Sequence, residues 1–165
     1  MEIIIDGYNF IGHDQGLSEP LEHKRKWLVQ QLSLFREKKN FEVTVVFDGW
    51  QSGLRYEVEE KKAGVRIVFS RLGEKADAVI IRIARAKGSG CIVVTSDREI
   101  RSAVEKFGAV SLRAGEFAEI LGSIDVLPYD PEEYNPEPGL RKKGNPRRLS
   151  KADRRRSEIL RKLRS

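Results

Sequence analysis

A run of three β-branched residues closed by a carboxylate, Ile3-Ile4-Ile5-Asp6, constrains this chain more than any other stretch. Aliphatic runs without polar alternation belong to strands buried on both faces, the condition of a parallel sheet covered by helices. Asp6 then falls at the carboxyl end of such a strand, where open α/β sheets hold their ligands. Gly7 lets the backbone turn there, and Asn9 brings a second polar group to the same strand end. A lone Asp in this position is more often a turn or cap residue. Here the pattern recurs along the chain.

Residues 42–47 (Glu-Val-Thr-Val-Val-Phe) read as a second strand, ended by Asp48-Gly49. Val65 to Phe69 is a third, and Cys91 to Thr95 a fourth, followed by Ser96-Asp97. Residues 109–112 form a fifth. Between them lie helical patterns. The first runs from Pro20 to Lys38, with Ser18 as its cap and Leu21, Leu28, Leu32 and Phe35 on one face. Glu74 to Lys87 buries Ala76, Val79, Ile80, Ile83 and Ala84. A helix to Phe107 opens on a Ser96/Glu99 capping box, and Ala114 to Leu121 forms a short one. Residues 50–64 are polar and irregular, with a short helix expected around Tyr56 to Lys62. Strands alternating with helices predict an α/β, three-layer domain, its central sheet mostly parallel and its helices on both faces.

In such a sheet the carboxyl ends share one edge. Asp6, Asp48, Glu74 with Asp77, and Asp97 all fall at or just beyond a strand end. Two carboxylates roughly 5 Å apart repel by about 3 kcal/mol at an effective dielectric near 20. A cluster relaxes by taking up a proton or a hard divalent cation. Oxygen-only ligands favour Mg2+ or Mn2+, and aspartate-held ions of this kind activate water against phosphodiesters. Each acid also has a plainer role. Asp97 suits the first turn of a helix, as do Glu74 and Asp77, and Asp48-Gly49 suits a turn.

Charge separates the chain into two parts. From Gly139 to Ser165 there are 12 Lys and Arg against 2 Asp and Glu, a net +10; the other 138 residues carry 19 against 23, a net −4. A mildly acidic body with a strongly basic tail points to a polyanionic partner, RNA or DNA. The stretch from Ser123 to Ser150 holds Pro128, Pro131, Pro136, Pro138 and Pro146 and reads as an extended connector. Lys151 to Arg164 has helical composition, with Ile159, Leu160 and Leu163 as an apolar strip. The expected organisation is an α/β domain over residues 1–125, then a connector and basic tail over 126–165, helical at about 151–164. No apolar run approaches the roughly 18 residues that span a membrane, and no signal peptide is expected. The single cysteine, Cys91, reads as a core residue in a reducing, cytoplasmic setting. One Cys and two His, His13 and His23, speak against zinc.

Ile-Ile-Asp6-Gly-Tyr-Asn9, Val-Phe-Asp48-Gly, Glu74-Lys-Ala-Asp77 and Val-Thr-Ser-Asp97 resemble, in order and spacing, the NYN domain family. The likeness is to its bacterial YacP-like branch, within the PIN-like nuclease superfamily, and covers residues 1 to 125. It implies a PIN-like fold and a metal-dependent ribonuclease site. Asp6, Asp77 and Asp97 would be the catalytic, Mg2+- or Mn2+-binding acids, with Asn9, Asp48 and Glu74 in support. Lys75 stands where the family often has a small polar residue, which leaves the part played by Glu74 open.

Carboxylates repel a phosphate backbone, so RNA must be held elsewhere. Lys61, Lys62, Arg66 and Arg71 lie in or near the loop before the Glu74 helix, placed to line a cleft, and Arg98 and Arg101 follow Asp97. Tyr8, Trp50 and Tyr56 are loop-placed aromatics able to stack on unpaired bases, and Trp50 suits the core equally well. In the tail, Arg141, Lys142, Lys143, Arg147, Arg148, Arg154, Arg155 and Arg156 form basic clusters suited to RNA, free or within a ribosome. Three readings follow: an endoribonuclease; a non-catalytic RNA- or ribosome-binding module; and a phosphotransfer receiver domain. The last lacks adjacent acids after the first strand and a Lys after the fifth.

Overall fold

The aliphatic runs become the middle of a six-stranded sheet of order β3-β4-β2-β1-β5-β6. Its strands are β1 (Glu2–Asp6), β2 (Glu42–Phe47), β3 (Val58–Lys62), β4 (Val65–Phe69), β5 (Cys91–Val94) and β6 (Val110–Leu112). All neighbours are parallel except β3, which pairs antiparallel with β4. The helices are α1 (Gly7–Asp14), α2 (Leu21–Lys39), α3 (Ala76–Lys87), α4 (Arg98–Glu105), α5 (Ala114–Ser123) and α6 (Lys151–Arg164). This computed structural model describes residues 1–14, 20–49, 55–124 and 150–165. The chain divides into two compact units, Met1–Ile124 and Asp125–Ser165.

Strand periodicity sorts the core into two layers. Ile4, Val46, Val68 and Val93 point to one face and pack with Ala76, Val79, Ile80, Ile100 and Val104 of α3 and α4. The residues out of phase with them, among them Ile5, Phe47, Ile67 and Val94, are buried toward the other face. There Phe117 of α5 meets Phe10 of α1 and Phe35 of α2 edge-on, at 5.8 and 5.4 Å between ring centroids. Every residue of β1 is buried because both layers close over it.

Several local expectations give way to tertiary context. The segment around Tyr56 to Lys62 is not helical: Val58–Lys62 is an exposed edge strand. Its charges (Val-Glu-Glu-Lys-Lys) favour a helix in isolation. The turn after it decides otherwise. Ala63 and Gly64 both have positive φ, 50° and 79°, which reverses the chain into a tight hairpin with β4. Charged side chains then protect that edge from further pairing. After β1 the chain enters α1 at once, so Gly7 opens a helix instead of a turn. Pro20 sits at the N-cap position of α2, and Ser18 lies outside the described residues. Helix α3 starts at Ala76 behind Lys75, which leaves Glu74 before the helix. Glu74 and Asp77 therefore do not share a helical face.

The second unit is described from Ser150 onward. Ser150 caps α6, its hydroxyl donating to Asp153 Oδ2 at 2.6 Å and accepting from the Asp153 amide at 3.1 Å. Arg154, Arg155 and Arg156 lie in the first half of that helix. Arg141, Lys142, Lys143, Arg147, Arg148 and the connector before them lie outside the described residues.

Candidate active site

Asp6 continues the phase of Ile4, so its side chain lies on the face covered by α3. Asp48, Ser70 and Thr95 continue the phases of Val46, Val68 and Val93 in the same way. Helix α3 runs back across that face. Asp77 is in its first turn, at the carboxyl edge of the sheet, and Lys87 in its last turn, at the amino edge.

The two ends of β1 contrast in their electrostatics. At the amino edge Glu2 is buried but neutralised. Lys87 Nζ is 3.0 Å from its Oε2, Arg66 Nη1 is 3.9 Å from its Oε1, and the Thr44 hydroxyl donates to Oε1 at 2.5 Å. At the carboxyl edge Asp6 is also buried, at 8% exposure, where it accepts hydrogen bonds and feels the charge of two further acids. Burial pushes its carboxyl up to about 6. Hydrogen bonds from the Thr95 side chain and the Asn9 backbone oppose that rise, and the negative charges of Asp77 and Asp97 add to it. Removing water from a carboxylate disfavours its charged form, and like charges nearby do the same.

Thr95, in sequence no more than the last residue of a strand, joins the acids. Its hydroxyl donates to Asp6 Oδ2 at 3.1 Å and accepts from the Asp97 amide at 3.1 Å. It is fully buried. A threonine at the end of a buried strand, directly before Ser96-Asp97, was the available signal. Asn9 Oδ1 accepts from the Ser96 amide at 2.9 Å, so α1 clamps the β5–α4 loop from the other side. Ser96 Oγ accepts from the Ala114 amide at 3.2 Å instead of capping α4. The cap is Asp97, whose Oδ1 accepts from the amides of Glu99 and Ile100 at 2.8 and 3.2 Å. The expected Ser96/Glu99 capping box is thus replaced by Asp97 itself, one residue on. Thr95→Val removes both hydroxyl bonds at nearly constant volume. If Asp6 is catalytic, the loss is that of a supporting partner of a metal ligand, about 10–100-fold in cleavage rate. A steady-state assay against wild type checks it, with thermal melting to confirm the fold.

Two glycines let the strand ends close up. A Cβ on Gly7 would lie 2.4 Å from the Phe47 ring, and one on Gly49 would lie 1.8 Å from the Ser70 carbonyl oxygen. The Gly49 amide donates to Ser70 Oγ at 2.9 Å, and the Ser70 amide to the Phe47 carbonyl at 3.0 Å. This interlock holds the β2 end, and with it Asp48, against the end of β4.

The remaining acids and cations are distributed as follows. Glu74 Oε2 lies 3.4 Å from Arg71 Nε, which directs it to a local ion pair. Lys61 and Lys62 pair with Arg66 and Val65, at the end of the hairpin remote from the acids. Arg66 makes a two-pronged contact with Glu59, at 2.6 and 2.8 Å. Arg98 is the exposed first residue of α4, next to Asp97. Arg101 Nε donates to Ser111 Oγ at 3.2 Å. Tyr8 packs on Phe47 at 5.1 Å between centroids, and its hydroxyl accepts from Arg25 at 2.9 Å. Tyr56 is 79% exposed, and Trp50 lies outside the described residues.

The donor chemistry at the carboxyl edge fits a hard divalent cation: oxygen ligands only, around a carboxylate whose charge is poorly compensated. Among the described residues no three His, Cys, Asp or Glu side chains close into a ready-made ligand set. Asp97 commits Oδ1 to its helix.

A three-layer α/β domain with carboxylates converging on the carboxyl edge of β1 is a nuclease-like architecture. The chain belongs to the YacP-like NYN domain family, whose model matches residues 3–164. That match reaches past the body into the second unit. The fold is similar to the crystal structure of Rae1 (YacP) from Bacillus subtilis, with 26% identity and a TM-score of 0.62 over 76% of this chain and 75% of that chain. A single-substitution mutant of the same protein gives 26% identity and a TM-score of 0.64, over 75% and 76%. No curated protein matches the chain. Membership of the family makes this a nuclease-like hydrolase domain with an RNA-related function. No helix among the described residues is long and apolar enough to cross a membrane.

Proposed function

We propose that the protein is a metal-dependent endoribonuclease acting in the cytoplasm on messenger or ribosome-associated RNA. The carrying observation is Asp6: a buried carboxyl raised to about 6 at the sheet edge, with Asp77 and Asp97 acting on it electrostatically. Asp6, Asp77 and Asp97 are the residues that would hold Mg2+ or Mn2+. When bound, the ion would offset their repulsion, activate water and stabilise the leaving oxygen of the phosphodiester. Thr95 fixes the orientation of the Asp6 carboxyl, and Asn9 holds the loop that presents Asp97. Hydrolysis with these roles adds water across the P–O3′ bond and leaves a 5′-phosphate and a 3′-hydroxyl. Arg98 beside Asp97, and the basic residues of α6 and the segment before it, are cations suited to the phosphate backbone.

A non-catalytic RNA-binding role has one observation in its favour: Asp97 works as a helix cap. Asp97→Asn separates the two readings, because asparagine caps a helix as well as aspartate does. The expected outcome is an intact fold, retained RNA binding and loss of EDTA-sensitive cleavage of a mixed RNA pool. Cleavage at the wild-type rate in this variant would sink the nuclease assignment.

A further inference from the structure

On the face of the sheet opposite Asp6, a groove of about 420 Å3 opens between α2 and the β3–β4 hairpin. Its floor is apolar and aromatic: Phe47, Phe69, Ile67 and Val29. Phe47 and Phe69 stack at 5.6 Å between centroids, and the Arg25 guanidinium sits 5.9 Å from the Phe69 centroid. Arg25 also donates to the Tyr8 hydroxyl at 2.9 Å, and Tyr8 is two residues beyond Asp6. The groove therefore meets the acid edge at Tyr8 and at Phe47, the residue before Asp48.

The rim carries Arg25, Lys26 and Lys62 against Glu22 and Glu60. Lys26 Nζ is 3.3 Å from Glu22, so the charges nearly balance. A balanced rim does not suit a run of phosphates, which needs excess cation. It suits a flat, uncharged heteroaromatic ring with a polar edge. Aromatic floors beside an arginine plane are how proteins hold unpaired bases.

We infer that this groove receives one unpaired nucleobase of the RNA strand, flanking the bond presented to Asp6, with Phe69 and Arg25 as its stacking surfaces. The inference rests on the proposed RNA substrate and gives the same site a preference for single-stranded segments. Phe69 and Arg25 are positioning residues: they touch the base and not the reacting phosphate.

The test uses the full-length Asp97→Asn protein and a short single-stranded oligoribonucleotide with 2-aminopurine moved through successive positions. Binding should quench the fluorescence strongly at one position. Phe69→Leu and Arg25→Gln, each added to this background, should abolish the quench there and weaken binding roughly tenfold, the usual worth of one stacked base. The partly exposed Arg25 keeps the test available if Phe69→Leu impairs folding. No binding, or a positional quench and affinity that survive in the folded variants, overturns the inference. Cleavage by the wild type is scored separately. A Phe69-dependent quench without cleavage supports the groove and refutes the nuclease; cleavage with a Phe69- and Arg25-independent affinity does the reverse.

Discussion

Asp6→Asn should make the metal-free protein more stable at neutral pH while abolishing cleavage. The folded protein binds the Asp6 proton more tightly than the unfolded chain does, with a pKa of about 6 against an ordinary aspartate value of 3.8. A raised carboxylate costs nothing at low pH, where both states are protonated. The cost grows as pH rises from about 4 through about 6 and is constant above that. The difference of roughly two pKa units corresponds to about 3 kcal/mol at pH 7. Asparagine retains an acceptor for Thr95 and for the Asn9 amide without carrying the charge. Urea unfolding in EDTA should therefore show wild type losing stability between pH 4 and pH 7, and the variant losing about 3 kcal/mol less. Mg2+ or Mn2+ should close the gap by stabilising wild type alone, since a ligand of the folded state raises its stability. Cleavage in the variant should fall by at least about 100-fold, more than loss of a supporting partner alone. A variant less stable than wild type at pH 7 in EDTA would remove the electrostatic basis of the site.

Gly49→Ala should be the most damaging single-methyl change in the body. The added carbon would sit 1.8 Å from the Ser70 carbonyl oxygen, which is backbone and cannot swing aside. The β2 end must move away from the β4 end, breaking the Gly49–Ser70 bond that joins them. Overpacking of this kind costs typically 1–3 kcal/mol, and here the upper end, about 3 kcal/mol, is expected because main chain meets main chain. Denaturant midpoints at constant slope would read it. Activity should fall as well, because the same shift moves Asp48 along the acid edge. Unchanged stability would mean that the two strand ends are not locked together.

Much of this arrangement is legible in the linear chain. Largely apolar runs at Ile3–Ile5, Val43–Phe47 and Cys91–Val94, separated by helical patterns, are enough for a mostly parallel sheet with two covering layers. The hydrophobic effect acts on those patterns whatever the details of packing. The acids at the strand ends are legible for the same reason: in a parallel sheet, position along a strand fixes the edge.

The structure decided what depends on partners distant in sequence. The edge strand Val58–Lys62 exists only because β4 offers it a ladder, and its charged composition carries no alternating apolar signal. The role of Thr95 depends on β1 and β5 lying side by side, which brings it to an Asp6 carboxyl 89 positions away. Glu74, legible only as one more acid, turns to Arg71, and Asp97 spends an oxygen on its helix. Burial patterns and strand ends are local or additive properties, so composition and period encode them. Which carboxylate is neutralised, as Glu2 is, and which is left charged against water's absence, as Asp6 is, follows from desolvation and from neighbours that only the folded chain assembles.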